Sequence, residues 1–159
     1  MRLTRYTDYA LRVLIYLAVH DETLHTIQEL ADIYGVSKNH LMKIVHNLSS
    51  ANYIDSVRGR TGGIRLAKAP EEINLGILIR HTEDDLAIVE CFSAPTNHCV
   101  LTPQCHLQSV VSEALSAFLA VFDRYTLADL VANRSCLKSL FSQLGLDETG
   151  HVYTSPNHT

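Results

Sequence analysis

Three cysteines, Cys91, Cys99 and Cys105, fall within fifteen residues, in a stretch that contains Pro95 and Pro103 and shows neither helical nor strand periodicity. Thiols gathered on one loop of a chain without secretory features indicate a metal or redox centre before they indicate disulfides. The spacing Cys-x7-Cys-x5-Cys is neither the close cysteine pair of a zinc ribbon nor the tight run of a bacterial ferredoxin. Three thiolates are one ligand short of a closed site. An iron–sulfur cluster completed by a weaker oxygen or nitrogen donor leaves one iron open to small molecules, which suits a sensor. A structural zinc completed by His98 or His106 is the rival reading, and three unrelated buried thiols is the plainest one. The fourth cysteine, Cys136, stands in an apolar helical stretch and reads as a packing residue.

The second candidate site is basic. Residues 36–68 hold Lys38, Lys43, Arg58, Arg60, Arg65 and Lys68 against the single acid Asp55, a local balance of +5. The remaining residues carry seven bases and sixteen acids, a balance of −9. A helix starting at Ser37 would offer free amides to a phosphate, with Lys38, Asn39, His40 and Lys43 reaching phosphates or base edges in a major groove. Arg58 and Arg60, in the run Arg58-Gly59-Arg60-Thr61-Gly62-Gly63, suit a narrow minor groove, where negative potential is focused. Together these features point to double-stranded DNA, although a solvated charged face would also carry two lysines.

These residues need elements to hold them. Leu11, Leu14, Ile15 and Ala18 have the spacing of an amphipathic helix, with Thr7 as its cap. Thr26 and Glu29 form a capping box that opens a short helix ending near Gly35. Ser37 then caps a third helix with Leu41, Ile44, Val45 and Leu48 inward and Lys38, Asn39, Lys43, His46 and Asn47 outward. Tyr53–Val57 and Ile64–Ala67 read as strands flanking the glycine-rich basic tip. A helix-turn-helix followed by a basic hairpin is a winged helix. Ile73–Arg80 reads as a further helix, followed by the acidic run Glu83-Asp84-Asp85.

From Gln104 to Tyr125 the sequence shows one long helix whose seam is Leu107, Val111, Ala114, Phe118, Val121 and Tyr125, widened by Val110, Leu115, Leu119 and Phe122. So broad a stripe calls for a second copy, hence a homodimer. Thr126 can cap a last short helix, and a polar tail follows from about Gly145. The expected class is mainly α with a small β-hairpin wing. Its expected parts are a winged helix-turn-helix unit over 1–80, a cluster-binding loop over 81–106, the dimerisation and C-terminal helices over 107–144, and a disordered tail over 145–159.

Composition fits this outline. The chain has 159 residues, 47% of them hydrophobic and 19% charged, with a net charge of −4 and a mean hydropathy of +0.05. That excludes general disorder. No apolar run approaches the roughly 18 residues of a membrane span, and Asp8 and Arg12 interrupt the only place for a signal peptide core. A cytoplasmic protein is expected. Nothing resembles a nucleophile with its base, a phosphate-binding glycine loop or a carboxylate pair, so an enzyme is not expected.

Four stretches together, Leu3-Thr4-Arg5-Tyr6-Thr7-Asp8-Tyr9-Ala10-Leu11-Arg12, Val36-Ser37-Lys38-Asn39-His40-Leu41, the wing from Val57 to Leu66 and the three-cysteine loop, resemble the Rrf2 family of winged-helix regulators. The likeness covers about residues 1–144, and within the family it is strongest to its nitric-oxide-sensing repressors. It implies a homodimer with one iron–sulfur cluster per subunit, bound to promoter DNA until nitric oxide damages the cluster, with [4Fe-4S] favoured over [2Fe-2S]. By the same likeness Cys91, Cys99 and Cys105 would be cluster ligands and Asp8 a fourth donated by the partner subunit. An acid in the first turn of a helix is also favoured by the dipole alone, and His106, His98 or water remain open as the fourth ligand. The branch that regulates iron–sulfur cluster assembly has a histidine three residues after its third cysteine. Here that position is Gln108, which favours the nitric-oxide branch over an iron–sulfur-status or redox regulator of cluster biogenesis.

Overall fold

Thr4 starts the first helix, α1 (Arg5–Val19), in the computed structural model, which describes residues 2–83 and 85–143. The Thr4 hydroxyl accepts the Thr7 amide at 3.2 Å. The cap therefore lies one turn before Thr7, where the apolar stripe alone puts it. Thr7 is instead fully buried inside the first turn, and its hydroxyl donates to Thr82 Oγ1 at 3.0 Å. The stripe misplaces the start because the first turn shows polar residues, Arg5 and Asp8, outward and adds no apolar periodicity.

Helix α2 (Ile27–Tyr34) opens with both bonds of the Thr26/Glu29 capping box and closes on Gly35, whose φ of +59° glycine adopts without a Cβ penalty. Helix α3 (Lys38–Ser50) is capped by Ser37, which accepts the His40 amide at 3.3 Å. Its inward residues Leu41, Ile44, Val45 and Leu48 are buried against Ala10, Val13, Leu14 and Leu17 of α1 and Leu30 of α2 in one core. Truncating the fully buried Leu41 to alanine is expected to cost about 2–5 kcal/mol, read as a lower urea midpoint, because a cavity there sits where α3 meets that core.

Strands β1 (Ile54–Val57) and β2 (Gly63–Leu66) pair antiparallel in the register Ile54↔Leu66 to Val57↔Gly63, leaving residues 58–62 as the wing tip. Gly62 is required there, since a Cβ would collide with the Val57 carbonyl oxygen. His25 exchanges two backbone hydrogen bonds with Ile64, at 3.1 and 2.8 Å, so the connector between α1 and α2 is joined to β2 by one isolated antiparallel bridge.

Helix α4 spans Leu75–Thr82, two residues later than the periodicity places it, because the Asn74 side chain accepts the Ile77 amide and makes the cap. Residues 85–105 form an irregular segment with three short 3-10 turns, Glu90–Phe92, Ala94–Thr96 and Thr102–Gln104. Helix α5 (His106–Phe122), about 26 Å long at 1.5 Å per residue, is shorter than the predicted 104–125 at both ends. It is tied to α4 by Arg80, which forks onto Asp123 and holds that carboxyl below the usual carboxylate range.

The chain then returns to the first core through α6 (Leu127–Leu130), capped by Thr126 with Asp129, and α7 (Arg134–Gln143). Leu127 is fully buried in that core, while Val131 and Phe141 pack on its edge. Cys136 is exposed on α7, which corrects its reading as a packing residue: the inward face of this amphipathic helix is supplied by Leu137 and Phe141. The predicted disordered tail, 145–159, and Asp84 of the acidic run lie outside the described residues. No helix among the described residues is long and apolar enough to cross a membrane.

Candidate nucleic-acid interface and cysteine segment

The basic residues of the winged helix divide into two groups. Arg65 pairs with Asp55 across the hairpin at 3.7 Å, and the Lys68 ammonium lies 4.8 Å from the Tyr53 ring centroid. These two bases serve the wing itself. Lys38 and Lys43 on α3 and Arg58 and Arg60 at the wing tip are exposed and form no ion pair among the described residues. An unpaired cation held out by a rigid helix or hairpin loses little on meeting a phosphate, which fits these four to DNA.

Asn39 is exposed beside Lys38, and Ser37 is engaged as the helix cap. His40 is only half exposed, because its ring meets Tyr9 of α1 edge-on at 5.5 Å. Asn47, predicted on the outer face, turns its amide oxygen to His81 Nε2 of α4 at 3.2 Å. Met42, by contrast, is 48% exposed. It lines a groove between α3 and β1 with His46, Ser49, Ser50, Ser56 and Arg58. Its position midway between Lys38 and His46, four residues from each, puts it on the outward face.

Cys91, Cys99 and Cys105 are free thiols, each half-buried. Cys91 sits in the first 3-10 turn, and its carbonyl accepts the Gln108 side chain of α5 at 3.4 Å. Cys99 is fixed by Asn97, which accepts its amide at 3.0 Å, and by the Thr102 hydroxyl, which donates to its carbonyl at 2.8 Å. Cys105 is the residue before the first turn of α5, and its side chain makes no capping bond. Among the described residues, no three His, Cys, Asp or Glu side chains stand close enough together to hold a metal. The donor types fit a three-thiolate centre, and gathering them requires the irregular segment to close around it.

Asp8 is engaged within its own helix. It lies half-exposed in the first turn of α1, forked by Arg12 at 2.8 and 3.0 Å. The same guanidinium lies 5.4 Å from the Tyr9 ring centroid, and Tyr9 in turn touches His40. An acid that sequence patterning passed over is Glu83, which is 9% exposed. Its Oε1 accepts the Thr4 amide at 2.8 Å and the Thr4 hydroxyl at 3.2 Å, tying the start of α1 to the root of the cysteine segment. The sequence shows it only as one member of an acidic run, with no sign of a partner 79 positions away.

On α5, Leu107 is 62% exposed, and Val110 and Val121 are also exposed. Only Leu119 of the helix is buried, so most of the predicted seam is uncovered within one chain.

Residues 3–133 match the family described as "Rrf2: Iron-dependent Transcriptional regulator". The chain is 53% identical over 143 residues to the HTH-type transcriptional regulator NsrR of Bacillus licheniformis, covering 89% of this chain and all of that protein. It is 52% identical over 141 residues to NsrR of Bacillus subtilis, covering 88% and 97%. Among solved structures, the fold is similar to CymR, the global cysteine regulator of B. subtilis, with a TM-score of 0.68 and 25% identity over 84% of this chain and 98% of that one. It is also similar to T. potens IscR, with a TM-score of 0.64 and 26% identity over 94% and 96%.

Proposed function

The chain belongs to the Rrf2 family of transcriptional regulators, and on that premise we propose that it is a nitric-oxide-sensitive iron–sulfur repressor acting as a homodimer. The coarse activity follows from the family: the protein is a DNA-binding transcriptional regulator and not an enzyme. The observation that carries the finer reading is the placement of three free, half-buried thiols between a winged helix with unpaired cations and a helix with an uncovered apolar stripe. A ligand change in that segment would be transmitted to both.

In this reading Cys91, Cys99 and Cys105 hold an iron–sulfur cluster, [4Fe-4S] in preference to [2Fe-2S], and Asp8 of the partner subunit supplies the fourth ligand. The cluster, when bound, supplies an iron that reacts with nitric oxide. The chain's own part is geometric. α5 of two copies would cover each other's apolar stripe. An Asp8 shared across the dimer would hold the two α3 helices at the spacing of one DNA turn, ~34 Å. Recruiting Asp8 loosens its fork with Arg12, and Arg12 touches Tyr9, which touches His40 at the start of α3. Release of Asp8 would restore that fork and disturb the spacing.

Anaerobic purification tests the reading: a brown protein with visible absorbance, bleached by nitric oxide as a bound promoter fragment is released, is expected. A colourless protein with stoichiometric zinc overturns it. Asp8→Ala is expected to retain the visible absorbance but to bind the promoter fragment several-fold more weakly before any nitric oxide is added, and to lose most of the further response to it. A variant that binds and responds like the parent removes Asp8 from the ligand set while leaving the three cysteines standing.

A further inference from the structure

The family match ends at residue 133, and α7 follows it immediately. α7 is nevertheless anchored. Arg134 donates from Nε to the Val19 carbonyl at 2.9 Å and forks onto both oxygens of Asp21, and Lys138 reaches Glu22 at 3.5 Å. Phe141 packs edge-on against Tyr16 at 5.0 Å and against His20 at 5.5 Å. Every one of these contacts falls on the C-terminal end of α1 or the connector that leaves it.

That connector leads directly to the wing. His25, 7% exposed, is held at both ring nitrogens: Nδ1 faces Glu29 at 3.0 Å, and Nε2 faces the His20 carbonyl at 3.0 Å and Thr23 at 3.1 Å. Tyr16, beneath Phe141, donates to the same Glu29 oxygen at 2.7 Å. The His25 backbone then pairs with Ile64 of β2, and Gly63 lies against it so closely that a Cβ would stand 2.8 Å from the His25 carbonyl. A bonded network whose central members, Tyr16 and His25, are buried transmits displacement, because these two cannot shift singly without leaving polar groups unpaired.

We propose that α7 is a strap that positions the wing: Arg134 and Phe141 hold the 20–25 connector, the connector holds β2, and β2 aims Arg58 and Arg60 at DNA. This inference rests on the wing being a DNA contact and is independent of the cluster. Arg134 and Phe141 are positioning residues in it and touch no nucleic acid.

The test uses the full-length, anaerobically purified protein and a 30-base-pair mixed-sequence duplex, with binding measured from low to physiological salt and amide exchange followed at Ile64. Phe141→Ala is expected to speed Ile64 exchange by roughly tenfold or more. It should lower the slope of log affinity against log salt by up to about 1.8, since each lost phosphate contact removes about 0.9. Arg58→Ala with Arg60→Ala should lower the slope equally, and adding Phe141→Ala to that pair should lower it no further. Arg134→Ala, which removes an exposed pair and leaves the core intact, gives the same signs should Phe141→Ala fold poorly. Asp21→Arg combined with Arg134→Asp should restore what Arg134→Asp alone loses. A structural role without positioning reduces the active fraction but leaves the slope alone, so faster exchange with an unchanged slope overturns the proposal. Unchanged exchange overturns it as well. An unchanged slope in the Arg58→Ala, Arg60→Ala protein discards the wing as a DNA contact, and Ile64 exchange then alone decides whether α7 holds the wing.

Discussion

Cys91→Ser, Cys99→Ser and Cys105→Ser, each made singly, are expected to abolish the visible absorbance of the anaerobically purified protein, whereas Cys136→Ser leaves it at the parent level. Three thiolates are already the minimum that the proposed centre can use, so no single loss is compensated within the segment. Serine preserves the shape and the local hydrogen bonds, including those that Asn97 and Thr102 make with the backbone of residue 99. The helical circular dichroism should therefore persist, and the absorbance is lost through ligation alone. Because loss of the centre frees the segment next to α5 and α4, the same three variants should also lose any nitric-oxide response in promoter binding. If Cys99→Ser keeps the parent's absorbance, the three-cysteine ligand set is wrong. If Cys136→Ser loses it, the exposed α7 thiol is a ligand after all.

The second large effect concerns DNA. Replacing both Arg58 and Arg60 with alanine should weaken promoter binding by about tenfold to a hundredfold at physiological salt, with the visible spectrum unchanged. Both guanidinium groups are exposed at the wing tip and have no acidic partner among the described residues, so their loss removes cations available to phosphate. Arg65→Ala is the matched control. Its guanidinium is occupied by Asp55 within the hairpin, and its removal should change affinity far less. Lys43→Ala tests the helix separately: a lysine on phosphate should reduce the salt slope by about 0.9, while one that faces only solvent leaves it where it was. Equal losses for Arg58→Ala and Arg65→Ala would mean that general charge, and not the wing tip, carries the affinity.

Local signals were well represented in the residue pattern. Ser37, the Thr26/Glu29 box and Gly35 bracket α2 and α3 because capping depends on side chains within three or four positions of the backbone groups they satisfy. The wing followed from two short apolar runs around a glycine-rich tip, and Gly62 proves necessary at that turn. Boundaries set by polar contacts were less visible. Thr4 and Asn74 cap their helices one turn before and two residues after the positions that apolar periodicity indicates, since periodicity follows the buried face and says little about first turns.

Residues whose role depends on a distant partner were hidden. Glu83 reads as part of an acidic run and proves to be a buried acceptor for Thr4. Met42, which the polar pattern of the outward face leaves out, stands at the groove beside the wing. Cys136 reads as packing and is exposed, because the rotation of α7 about its axis is set by Phe141 meeting Tyr16 and His20, more than 110 positions earlier in the chain.

The division has one physical cause. The starts of α2 and α3, the hairpin, the separation of +5 and −9 charge, and the clustering of Cys91, Cys99 and Cys105 are properties of neighbours along the chain, so the order of residues alone settled them. Which cations remain unpaired, how α1 is tied to the cysteine segment and where α7 lands depend on contacts between residues far apart in sequence. Those contacts form only once the shared apolar core has brought the elements together.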